Sequence, residues 1–101
     1  MFLITALAVA LAFEPTAPAM TVPAAGLDLS RPADAEVFAE RVAAESRRFC
    51  AAHRAVITPD QASPPACERG MARLAVEGLP TPQWRRFVAA GGMRALSRRL
   101  P

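Results

Sequence analysis

Two cysteines, Cys50 and Cys67, with sixteen residues between them, constrain this 101-residue chain more than any other feature. They follow an apolar stretch, Phe2 to Phe13, broken only by Thr5 and ended by Glu14, Pro15 and Pro18. That stretch is too short to span a bilayer, which takes about 20 apolar residues. It has the length of the apolar part of an export signal, and Ala17-Pro18-Ala19 offers small residues where a signal peptidase reads. Cleavage is expected after Ala19, with Ala24 and Ala25 as later options. No Lys or Arg precedes the apolar run, which leads to the expectation that the true start codon lies upstream. The alternative for this segment is a buried N-terminal helix.

In an exported chain two cysteines normally pair. The expected Cys50–Cys67 disulfide would clamp the end of one helix to the start of the next, and a loop of this size gives about 3 kcal/mol in the chain-entropy description. A chain this small buries a modest core and needs such a staple. Hydrophobic residues make up 52% of the chain, a figure inflated by Ala, while Tyr is absent. The core is expected to rest on Phe38, Val42, Phe49 and Leu74, with Trp84 as a further contributor. All twelve basic residues are Arg and the net charge is +3. An all-Arg composition is common in GC-rich coding and is not read as selection for phosphate binding.

The expected fold is mainly α: a small disulfide-stapled helical hairpin with a short N-terminal edge strand and an extra C-terminal helix. Residues 1–19 form the leader, 20–78 the two-helix unit, and 79–101 a basic helical extension. Leu27-Asp28-Leu29 alternates with the period of a half-buried strand, and Pro23 confines any strand there to an edge. Ser30 reads as the cap of a first helix, with Pro32 in its first turn and Asp34 and Glu36 at the positive end of its dipole. That helix is expected from about Pro32 to Ala52. Ala35, Phe38, Ala39, Val42, Ser46, Phe49 and Cys50 fall on one stripe, and Arg41, Glu45 and Arg48 on a polar flank.

His53 to Pro64 reads as a connector. A second helix is expected from about Pro65 to a left-handed C-cap at Gly78, with Cys67, Gly70, Met71, Leu74 and Ala75 inward. Thr81-Pro82 restarts a helix as cap and first position. Trp84, Phe87 and Val88 form one apolar patch and Met93, Leu96 and Leu100 another, with a hinge at Gly91-Gly92 and a frayed terminal piece beyond it.

Two chemical readings compete with the disulfide. Cys50 and His53, with Cys67 and Glu68, have metal-ligand spacing, but a single CxxH is a weak signal and oxidation competes for both thiolates. No metal and no cofactor is expected. Redox activity would favour a CxxC pair, which is absent. Hydrolytic chemistry would need a nucleophile, a base and an orienting group. The serines Ser30, Ser46, Ser63 and Ser97 and the single His53 do not suggest one, and the chain is expected not to be an enzyme.

The pieces Leu27-Asp28-Leu29-Ser30, Glu40-Arg41-Val42, Ala44, Arg47-Arg48-Phe49-Cys50, Ala66-Cys67 and Arg69 resemble the UrcA family, small signal-bearing proteins of Proteobacteria. The resemblance covers about Val22 to Gly78. It implies a short strand, a helix start of the DLDLS type, a basic helix ending in VC, a variable loop and an AC helix. The chain departs from that pattern in three places. Gly26 stands where an acidic residue is usual, Ala24 and Ala25 stand where an aromatic is common, and Leu79 to Pro101 is extra. The resemblance implies export and the disulfide, and supplies no active site.

Two functional expectations remain. The first is a periplasmic or secreted, structural or stress-related protein that binds an envelope protein. The second is a binder of an anionic membrane or lipopolysaccharide surface through Trp84, Arg85, Arg86, Phe87, Arg94, Arg98 and Arg99, since no acid follows Glu77. Against the second stands docking of Trp84 and Phe87 onto the helix pair. Nucleic acid is not an expected partner, because export removes the chain from it.

Overall fold

The computed structural model describes residues 19–53 and 63–101. The leader segment before Ala19 and most of the connector lie outside the described residues. Those described form four helices and no strand: α1 (Pro32–Ala52), α2 (Pro64–Glu77), α3 (Thr81–Ala89) and α4 (Gly92–Arg99).

Helix α1 is the axis of the fold. Its first positions carry Pro32 and Asp34, where an absent N–H costs nothing and a negative charge meets the positive end of the dipole. Ala35, Phe38, Ala39, Val42, Ala43, Ser46 and Cys50 are buried on it. Three alanines in this set let neighbouring helices approach closely, and Phe38 and Val42 supply the bulk. Phe49, expected in the core, is half-buried and instead stacks on His53 at a centroid distance of 4.3 Å.

The expected N-terminal strand is absent. Residues 19–31 run as irregular chain with turns at Ala25-Gly26 and Leu29-Ser30. Gly26 sits at φ 82°, a left-handed conformation that interrupts any ladder. Asp28 folds the chain on itself, its carboxylate accepting from the Ser30 N–H at 3.0 Å and from the Ser30 hydroxyl. Ser30 is thereby committed to Asp28 and does not cap α1; the cap position is Arg31, without a side-chain bond. Asp34, one turn into α1, accepts the Asp28 N–H at 2.8 Å.

Helix α2 opens as Ser63-Pro64-Pro65 predicts. The Ser63 hydroxyl accepts from the Ala66 N–H at 3.3 Å, and the prolines occupy the first turn. Its buried residues are Cys67, Ala72 and Val76, whereas Leu74 is 62% exposed. The inward face is therefore turned by about a quarter of the helix circumference from the expected one. The reason is α4, which lies beside α2 across a shallow groove lined by Arg69, Ala72, Arg73, Met93, Leu96 and Leu100. A helix with two neighbours buries the side between them. Gly78 ends α2 as expected, but in a right-handed conformation at φ −78°.

Helix α3 begins at Thr81, with Pro80 as cap, and drives Phe87 fully into the core. The Phe87 ring meets Phe38 edge-on, centroids 5.5 Å apart at 84°. Such a pair adds about 0.5–1.5 kcal/mol beyond its burial. Gly91 then takes φ 85° as the left-handed cap of α4. Gly92 lies flat against Phe87, where an added Cβ would come within 2.4 Å of the ring. The terminal piece is not frayed. Ala95, Leu96 and Leu100 are buried in the same cluster as Phe38, Val42 and Phe87.

Candidate functional site

Cys50 stands in the last turn of α1 and Cys67 in the first full turn of α2, so the bridge ties the end of α1 to the start of α2. Their sulfurs are bonded at 1.99 Å with Cα atoms 6.0 Å apart, and both residues are buried. Burial of both sulfurs denies an outside thiolate its line of attack, which makes this bond structural rather than an exchange site. The alternative metal set loses its two thiolates to the bridge. His53 serves the end of α1 instead: its N–H donates to the Phe49 carbonyl at 3.0 Å, and its Nδ1 lies 3.0 Å from the same oxygen. Among the described residues no group of three His, Cys, Asp or Glu side chains is placed to hold a metal ion.

The seven residues expected to form an anionic-surface face are divided by the fold. Phe87 is buried and unavailable to any surface. Arg98 and Arg99 both turn back to Glu36 on α1, Arg99 Nη1 at 2.8 Å from Glu36 Oε2 and Arg98 on the other oxygen. Of the remaining four, Arg85 and Arg86 of α3 and Arg94 of α4 are exposed and Trp84 is half-buried; Arg98 is also exposed but held by Glu36. Arg86 borders an open polar groove of about 520 Å³ with Gln83, Asp28 and Ser30. The two hydrogen bonds from Ser30, hydroxyl first and backbone second, hold the Asp28 carboxyl below its ordinary value, and the positive Arg31 and Arg86 act in the same direction.

The other candidate polar groups carry structural duties. Glu45 pairs with Arg48, as the spacing predicts. Arg41 does not join them; it donates to the Pro23 carbonyl at 3.0 Å. The Ser46 hydroxyl, fully buried in the middle of α1, donates to the Met20 sulfur at 3.7 Å. Ser97 bonds back to the Met93 carbonyl at 3.0 Å.

Sequence reasoning missed a clasp at the end of α4. Arg47 of α1 donates to the Arg99 carbonyl, and Arg69 of α2 donates to the Pro101 carbonyl at 3.1 Å. Arg47 thus meets the negative end of the α4 dipole, and Arg69 ties down the chain just beyond it. No sequence signal names it, since both arginines have acids close by, Glu45 near Arg47 and Glu68 beside Arg69. The Asp28–Ser30 turn was findable, since an Asp side chain readily accepts from the backbone N–H two residues on.

No described helix is long and apolar enough to cross a membrane. No family model, no curated protein and no solved structure matches the chain.

Proposed function

We propose that this is an exported, non-catalytic protein of the cell envelope, related to the UrcA family, whose disulfide-closed helical scaffold serves a structural or stress-related role by binding another envelope protein. The observation that carries the reading is the buried Cys50–Cys67 bridge, a bond that persists in oxidising compartments and is rare in the cytosol. Hydrophobic residues of all four helices converge on one core, while Val37, Leu74, Val88 and Met93 stay exposed on an otherwise mostly polar exterior. The test is to express the chain with its own leader, fractionate the cells, and weigh the protein recovered from the periplasm or medium. The reading expects soluble envelope material lighter than its reduced form by two hydrogens. Protein confined to the cytosol with both thiols free contradicts it.

A second reading is favoured by one observation, the exposed Arg85, Arg86 and Arg94 together with half-buried Trp84 in a segment that follows the last acid of the chain. Arginine next to an interfacial aromatic suits an anionic lipid or lipopolysaccharide surface. Each basic residue near such a surface contributes about 1 kcal/mol, so three give weak, salt-sensitive binding. Trp84 is the only Trp, and its emission should shift to the blue with anionic vesicles and stay unchanged with neutral ones. Equal response to both excludes this reading.

A further inference from the structure

We propose that the leader is removed by hydrolysis of the Ala19–Met20 peptide bond, and that Met20 to Ala24 is a strap of the mature fold, so that the cut cannot lie at Ala24 or Ala25. The inference rests on the export reading and adds to it the site of processing and the reason for its position. In the reaction, an envelope signal peptidase directs water to the Ala19 carbonyl carbon, the C–N bond breaks, and the products are the Ala19 carboxylate and the Met20 amine.

The strap touches the core at several points. Met20 is half-buried, and its sulfur accepts the hydroxyl of Ser46, the one buried polar side chain of the core among the described residues. Val22 and Ala24 pack against the buried cluster, as does Leu27. Met20, Thr21 and Val22 line a shallow pocket together with Phe38 of α1 and Leu74, Gly78 and Leu79 around the end of α2. The Pro23 carbonyl holds the Arg41 guanidinium at 3.0 Å. The Ala24 carbonyl accepts the Leu27 N–H at 3.1 Å and closes the turn through Gly26. A cut after Ala24 or Ala25 leaves Leu27 in place but deletes the contacts of Met20 to Ala24, takes the acceptor from Ser46, and exposes core surface beside Phe38 to water. Ala19, by contrast, is exposed, and a cut behind it leaves the strap whole. The residues before each candidate bond agree. Ala17 and Ala19 present two small side chains in the positions a peptidase reads, whereas Val22 or Pro23 would occupy the outer position for the later cuts.

The experiment is N-terminal sequencing and intact-mass measurement of the full chain exported from its own leader, together with the variant Ala19→Leu. The expected product begins Met20-Thr21-Val22, and Ala19→Leu abolishes it, leaving either uncut precursor or a shorter product that melts lower by roughly 5–10 °C. A natural product beginning at Ala25 or Gly26 overturns the inference while leaving export intact. An uncut chain held in the cytosol overturns the export reading together with it. A shorter product from Ala19→Leu that melts with the unaltered protein overturns the strap.

Discussion

Helix α2 is tied to α1 by a covalent bridge and buries only small or mid-sized residues, Cys67, Ala72 and Val76, while its largest aliphatic residue, Leu74, faces out. Helix α4 is anchored without a covalent tie. It buries Ala95, Leu96 and Leu100, rests Gly92 on Phe87, and is gripped by arginine and glutamate at its exposed edge. The comparison separates two ways of stabilising a small helical unit. A bridge allows a poor apolar face, because it restricts the unfolded chain rather than rewarding contacts. A segment with no bridge must supply burial, and the price is strict shape.

If that contrast is right, damage to Phe87 should have the largest effect. Phe87→Ala removes the edge-on partner of Phe38 and the floor beneath Gly92, and should cost about 3–5 kcal/mol in urea unfolding. Gly92→Val should cost about 1–3 kcal/mol by overpacking, since the new Cβ would fall within 2.4 Å of the Phe87 ring. A neutral outcome at Gly92 would mean that α4 can slide along α3, and the claim of strict shape would go.

Smaller effects sharpen the polar side of the comparison. Glu36→Gln releases Arg98 and Arg99 together. The pairs are partly exposed, so the cost should be below about 1 kcal/mol and should shrink in high salt. A cost that is the same in low and high salt would show that the pairing is not electrostatic. The smallest effect concerns Asp28, whose carboxyl is held below its ordinary 3.8 by Ser30. The unfolded chain then binds the proton more readily than the folded one. Its contribution is present above the ordinary carboxylate range and is lost as pH falls through the lowered folded value. Asp28→Asn should flatten that part of the acid-unfolding curve, and an unchanged curve would remove the turn from the account.

Much of α1 was legible because its signals agree. The Pro32 start, the apolar spacing and the end at Ala52 coincide with the observed helix. The Cys50–Cys67 pairing was legible for a different reason, the expectation that two cysteines pair once a chain is exported. The strand at Leu27-Asp28-Leu29 failed because alternation over three residues cannot outweigh an Asp–Ser turn and a left-handed Gly26. The face of α2 is misread by ranking its largest side chains inward, because the residues that reach the core are Ala72 and Val76, while Leu74 is 62% exposed. The same oversight left α4 as a frayed end. Gly91-Gly92 read as a hinge, whereas Gly91 is a fixed left-handed cap and Gly92 a contact with an aromatic ring. For the arginines, spacing gave no sign that Glu36, far away in sequence, would take up Arg98 and Arg99.

The most direct measurement compares urea unfolding of the oxidised protein with that of the double variant Cys50→Ala, Cys67→Ala. A clamp between α1 and α2 predicts a loss of about 3 kcal/mol from a domain whose whole stability is of order 5–10 kcal/mol. Superimposable curves would contradict it, and would mean that the helices hold their places without the sulfur bond.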